Sequence, residues 1–198
     1  MYTLLLSLIY LAFVSLGLPD SLLGAAWPIM HQNFQVSLSS VGLVSMTISA
    51  CTILSSLLSE RMTKKFSTGW VTVGSVFLTA IALLGFSFTK SFWMLIFWAI
   101  PYGLGGGAID AAMNNYVALH YNSRHMSWLH CFWGVGALIS PYIMSWALTY
   151  ATWPVGYQTV GIVQLGIAVV LLLTIPLWRI HKRPEEGEND TKILGLRG

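Results

Sequence analysis

Long apolar runs separated by short polar breaks set the rhythm of this sequence. Six such runs lie at about 3–30, 38–58, 69–89, 92–120, 127–150 and 155–178. The breaks are polar or helix-breaking: HQNFQVS (31–37), SERMTKKFS (59–67), TKS (89–91), YNSRH (121–125) and ATWPVG (151–156). A helix needs about 20 mostly apolar residues to cross a bilayer. Lipid offers no partner to an open sheet edge, and the runs lack the alternation of a membrane barrel. The pattern therefore predicts an all-α integral membrane protein with six transmembrane helices. No Lys or Arg precedes the first run and further spans follow it, so it reads as a retained helix, not a leader peptide.

Composition narrows the picture. The chain is 56% hydrophobic and 9% charged, whereas soluble domains carry roughly a quarter of their residues as charges. No Lys, Arg, Asp or Glu occurs between Asp20 and Glu60, or from 125 to 178. A water-exposed surface cannot be built from such stretches, which excludes a soluble globule. The formal charge of +3 is not a nucleic-acid footprint, because the basic residues flank the spans. Arg61, Lys64 and Lys65 follow the second span and Arg124 the fourth; Arg179, Lys182, Arg183, Lys192 and Arg197 follow the sixth. Lys90 alone falls on the opposite side.

The positive-inside rule then predicts a multi-pass protein of the cell (plasma or inner) membrane with both termini cytoplasmic. Trp70, Trp128 and Trp178 mark one interface, and Trp27, Trp93 and Trp153 the other. Cys51 and Cys131 fall inside apolar runs and read as packing residues, neither a disulfide framework nor a metal site. Residues 1–183 form the transmembrane domain on this reading. PEEGENDTKILGLRG (184–198) reads as a cytoplasmic polar tail or a linker into something further.

Two carboxylates stand at membrane depth, Asp20 and Asp110, with no Lys or Arg beside them. An ionisable residue there is costly, and its default reading is functional. Desolvation disfavours the charged form of a carboxyl group, so such a group can load and release a proton. The alternative is that each aspartate caps a broken helix. Asn114 lies one turn after Asp110 on the same face, with Asn115 beside it, and an acid with amides suits a polar solute. Asparagines can instead hydrogen-bond a neighbouring helix as packing. His130 and Trp133 share a face of the fifth span, where His130 is either a proton relay or a solute donor, or a histidine satisfied at the interface. Gln164 is a less specific cavity candidate. Gly103, Gly105, Gly106 and Gly107 read as small residues for close helix packing, since no strand precedes them and no phosphate-loop Lys follows.

The triplets of spans also correspond. Asp20 is in the first span of the first triplet and Asp110 in the first span of the second. Equivalent acids in equivalent helices fit two inverted three-helix repeats with the site at their interface.

At this point the chain resembles the N-terminal half of the major facilitator superfamily. SLLSERMTKKF (56–66) is similar to that superfamily's cytoplasmic signature G-x-L-a-D-R-x-G-R-K. Leu58, Arg61, Lys64 and Lys65 match in type, Glu60 stands for the acid, and Ser56 and Thr63 replace the two glycines. GALISP (136–141) is similar to G-x-x-x-G-P, with Gly136 and Pro141 in place and Ser140 for the second glycine. The arginine that many drug exporters carry in span four is missing from the region of Pro101 and Tyr102. GLPDSLLGAAWP (17–28), IDAAMNNYV (109–117) and MSWLHCFWGVGALISP (126–141) resemble the fucose:proton symporter branch and its bacterial sugar-permease relatives.

That resemblance implies half of a major facilitator fold, with Asp20 and Asp110 in proton coupling and Asn114 and His130 lining the cavity. Glu60, Arg61, Lys64 and Lys65 would form the cytoplasmic gate. The family has twelve helices and this chain six, so the second wall of the cavity would come from another six-helix half or a homodimer. The function expected is secondary active transport: proton-coupled uptake of a small polar solute of sugar type, by alternating access within the lipid bilayer. It needs no cofactor beyond the proton gradient as energy source. The competing reading is a truncated or split-gene membrane fragment that acts only with a partner half. An enzyme is not expected, because the Gly-Ala-Ile-Asp at 107–110 departs from the G-x-G-D of aspartyl intramembrane proteases and no G-x-S-G occurs.

Overall fold

The computed structural model describes residues 2–179. The tail assigned to 184–198, and Lys182, Arg183, Lys192 and Arg197, lie outside the described residues. The chain runs α1 (Tyr2–Gly17), α2 (Leu22–Asn33), a 3-10 turn (Leu38–Ser40), α3 (Val41–Phe66), α4 (Thr68–Ser87), α5 (Phe92–His120), α6 (Ser123–Tyr150), α7 (Trp153–Leu173) and the short α8 (Ile175–Arg179). Six segments are long and apolar enough to cross a membrane, with α1 and α2 together forming the first.

Two boundaries differ from the sequence reading. The first span is not one helix, because Leu18–Ser21 forms a turn. Pro19 has no N–H to donate and disfavours helical backbone at Leu18. The turn is held by Asp20 N–H to the Gly17 carbonyl at 3.3 Å and Leu22 N–H to the Pro19 carbonyl at 3.2 Å. The second correction concerns the polar break 59–67, expected as a loop. Helix α3 runs through it to Phe66 and leaves Ser67 as the sole link to α4. The charged side chains there reach water from the end of a helix, so nothing forces the backbone to unwind.

The packing order reflects the repeat. Helix α3 lies chiefly against α5, and α1 against α6, so the second span of each triplet packs on the first span of the other. Helix α4 is sandwiched between α5 and α7 and is the most buried span. This is the arrangement of two inverted three-helix repeats, half of a major facilitator fold. The core has two centres. One gathers Leu5, Ile9, Phe13, Met113 and Leu129. The other gathers Leu22, Met30, Leu83, Leu95 and Met144. Large apolar residues on α3 (Met46, Ile53, Leu57) and α6 (Leu138, Tyr142, Tyr150) remain exposed, as the outer face of a membrane bundle requires.

Both crossings need glycine. A Cβ on Gly17 would run into the Trp133 carbonyl, and one on Gly136 into the Val14 carbonyl. Gly107 likewise leaves room for the Thr52 carbonyl, and Gly103 for that of Ile48. Lipid gives helices no hydrophobic reason to associate, so close backbone approach supplies the packing.

Candidate functional site

Asp20 sits in the turn between α1 and α2, where its side chain meets α5 and α6. The Tyr102 hydroxyl on α5 donates to Asp20 Oδ1 at 2.9 Å. The Trp133 indole N–H on α6 donates to Asp20 Oδ2 at 2.8 Å. Helix α2 starts after Ser21 with no side-chain cap, so the carboxylate ties three elements and does not cap a helix end. Asp20 and Trp133 both stay exposed on the bundle surface.

Asp110 is half-buried in the middle of α5, and Asn114 Nδ2 donates to its Oδ1 at 3.0 Å. The pair shares one face, as the spacing predicts. Asn114 Oδ1 is buried with no hydrogen-bond partner, which leaves an acceptor for an incoming donor. The His130 ring lies 6.2 Å from that of Phe13 in an edge contact. Helix α5 thus engages both acids, Asp110 through Asn114 and Asp20 through Tyr102, while α6 reaches Asp20 through Trp133.

The remaining candidates fall elsewhere. Asn115 lines a separate cavity of about 690 Å³ with Ser56, Thr63, Glu60 and Lys64. Lys64 Nζ meets Glu60 Oε1 at 2.7 Å within α3. Arg61 and Lys65 are exposed beside them, with Lys65 Nζ 5.3 Å from the centroid of the Phe66 ring. Gln164 is buried inside the bundle, not on a cavity wall. Thr79 Oγ1 donates to its Oε1 at 2.9 Å, and its Nε2 donates to the Ser15 carbonyl. Both ends of that amide are used in joining α4, α7 and α1.

Among the glycines, Gly103 and Gly107 meet α3 and Gly105 meets Ser75 and Thr79 of α4. Gly106 departs from the packing role, since the nearest atom to a Cβ there is a Leu16 methyl at 3.9 Å. Gly136 meets α1, and Pro141 lies within α6. Cys51 is half-buried and Cys131 exposed, both as free thiols. Among the described residues no group of three or more His, Cys, Asp or Glu could hold a metal ion.

Sequence reasoning missed a ladder along α3. Thr52, Ser55, Ser56 and Ser59 donate to the carbonyls of Gly103, Leu104, Gly107 and Ala108 on α5. Its signal is T-x-x-S-S-x-x-S at 52–59, with hydroxyls at i, i+3, i+4 and i+7 on one face. Tyr102 and Tyr157 were also missed, because an isolated tyrosine in an apolar run carries no pattern.

The comparisons with known proteins agree with this architecture. The family profile described as Major Facilitator Superfamily matches residues 9–196. Bypass of stop codon protein 6 of Saccharomyces cerevisiae is 23% identical over 163 residues, covering 77% of this chain and 33% of that protein. The glucose/mannose transporter GlcP of Bacillus subtilis is 22% identical over 153 residues, covering 76% of this chain and 38% of that protein. The matched part of the chain thus covers only 33% and 38% of the lengths of these relatives.

Proposed function

The chain belongs to the major facilitator superfamily, and we propose that it moves a small, neutral, sugar-like solute into the cell together with a proton. In this reading Asp20 and Asp110 carry the proton, while Asn114, His130 and Trp133 present hydrogen-bonding groups to the solute. The observation that carries it is that α5 engages both acids, Asp20 through Tyr102 and Asp110 through Asn114. One is gripped by Tyr102 and Trp133, the other by Asn114, and among the described residues no Lys or Arg forms an ion pair with either. A proton gained or lost at Asp20 changes what holds the α1–α2 turn to α5 and α6, which links protonation to helix position.

GlcP bears the name of a glucose/mannose transporter, and that supports a hexose as the solute class. Both termini face the cytoplasm of the plasma or inner membrane, placing the Glu60–Lys64 end of α3 inside. The energy source is the proton gradient, with no bound cofactor. A second six-helix half completes the cavity, because Asp20 and Trp133 open onto the bundle surface and the match takes up only 33% and 38% of the relatives' lengths. The test is uptake of labelled D-glucose and D-mannose under an imposed pH gradient, then with the gradient collapsed. Uptake should follow the gradient and be lost in Asp20→Asn and Asp110→Asn. Unchanged coupled uptake in both variants would sink the mechanism.

A further inference from the structure

Beside Asp20 a cavity of about 170 Å³ opens between the α1–α2 turn, α3, α4, α5 and α7. It lies between these helices, and Asp20 belongs both to its lining and to the hydrogen bonds with Tyr102 and Trp133. Its polar lining is Asp20, Tyr102, Tyr157, Ser45 and Ser49, and Phe86 and Leu83 form an apolar wall. Tyr157 is 1% exposed, and its hydroxyl has no hydrogen-bond partner. Leaving a buried hydroxyl unpaired is unfavourable, so this group calls for a partner. Its ring is fixed by Phe86 at 5.4 Å and Trp153 at 6.2 Å, both in edge contacts. The hydroxyl is thus held at one place.

The lining specifies the ligand. No Lys or Arg takes part and Asp20 does, so an anion is disfavoured. Both Asp20 oxygens already accept hydrogen bonds. A tyrosine or serine hydroxyl donates and accepts, whereas an ammonium only donates. A ligand hydroxyl satisfies Tyr157, Ser45 and Ser49 in both senses. A cavity of about 150 Å³ takes a benzene ring, so this one admits a single six-membered ring, with Phe86 against its C–H face.

We propose that this cavity is a subsite for one ring of a neutral polyhydroxylated solute, and that the Tyr157 hydroxyl selects a ring hydroxyl there. The proposal rests on the transport reading above and adds a location and a specificity residue that α7 supplies. Equilibrium binding of tritiated D-glucose and D-mannose to the purified chain, compared with Tyr157→Phe, provides the test. A parallel measurement follows alkylation of Ser49→Cys at the cavity mouth, in a Cys51→Ser, Cys131→Ser background. Tyr157→Phe should weaken hexose binding about tenfold, the usual scale of one good hydrogen bond, without lowering the melting temperature. Hexose should slow alkylation of Ser49→Cys severalfold. Full affinity in Tyr157→Phe with unprotected Ser49→Cys, while gradient-driven hexose uptake persists, would refute the subsite and leave the transport reading standing. Absence of both binding and uptake in the unmodified chain would end both. Protection of Ser49→Cys by tetramethylammonium but not by hexose would overturn the neutral-solute assignment.

Discussion

The contact between α1 and α6 and the contact between α3 and α5 occupy equivalent places in the two triplets, yet different chemistry holds them. Along α3 and α5 four hydroxyls donate to four carbonyls over two turns, with Gly103 and Gly107 letting the backbones approach. Between α1 and α6 the close approach at Gly17 and Gly136 is flanked by two long-range ties. Tyr10 Oη meets His125 Nδ1 at 2.8 Å near one end, and Trp133 reaches Asp20 near the other. The first contact spreads its polar bonds over a stripe that no ionisable group enters. The second routes one of its ties through a carboxylate. The difference teaches which pair can respond to a proton: α3 and α5 form a stiff unit, whereas the hold of α6 on the α1–α2 turn depends on the state of Asp20.

The largest effect is expected where backbone meets backbone. Gly17→Ala places a methyl group against the Trp133 carbonyl and the Ala137 amide, with no flexible side chain to yield. Overpacking of this kind should cost about 3 kcal/mol or prevent assembly, and thermal melting in detergent measures it. Gly107→Ala should behave similarly against Thr52, while Gly106→Ala should leave the melt nearly unchanged. A tolerated Gly17→Ala would mean that the α1–α6 crossing is not close.

Next comes the pair of acids. In Asp20→Asn the amide oxygen can still accept from the Trp133 N–H, but the Nδ2 side must donate to Tyr102. The hydroxyl then reverses its role, and the charge assistance of both bonds is lost. The expected loss is about 2 kcal/mol, the scale of a hydrogen bond to a charged group. Asp110→Asn keeps an oxygen for Asn114 Nδ2 and should melt close to the unmodified chain. Proton-coupled uptake should be lost in both. An Asp20→Asn chain as stable as Asp110→Asn would erase the distinction between the two contacts.

These two acids also mark how far the sequence could be read. Their depth, lack of basic neighbours and matching places in the triplets were visible from the spans. So was the Asp110–Asn114 pairing, since i and i+4 of one helix must share a face. The partners of Asp20 were not visible. Tyr102 and Trp133 come from other helices, and no local spacing records which residues two crossing helices bring together. Gln164 shows the converse. A lone amide in an apolar helix suggested a cavity wall, but Thr79 and Ser15 satisfy it inside the bundle. The break at Leu18–Ser21 was legible in principle from Pro19, yet the apolar run around it hid the turn. The helical end of α3 was hidden for the opposite reason, because a charged stretch reads as a loop although water solvates it equally well on a helix.

A single rung of the ladder should matter less than either acid. Ser59→Ala removes a buried donor to the Ala108 carbonyl, and interhelical bonds of this type contribute about 0.6 kcal/mol each. The carbonyl retains its helical partner, which limits the loss. Ser55→Ala and Ser59→Ala together should add nearly independently, because each donor has its own acceptor. A double variant that collapses far beyond the sum would show that the stripe acts as one cooperative network, and α3–α5 would then be as switchable as α1–α6.

The smallest effect on stability is expected at the Glu60–Lys64 pair. Its side chains are 71% and 76% exposed and stand one helical turn apart, a geometry in which water and salt screen the attraction. Lys64→Ala should therefore shift the melt less than Ser59→Ala does, and raised salt should erase what shift there is. Transport is the discriminating readout. If this end of α3 latches against a second half, hexose uptake should fall severalfold in Lys64→Ala while the melt stays put. A melt that drops more than in Ser59→Ala, with uptake unchanged, would instead make the pair part of what holds α3 in place. The stiffness of the α3–α5 contact would then owe as much to its charged end as to its ladder.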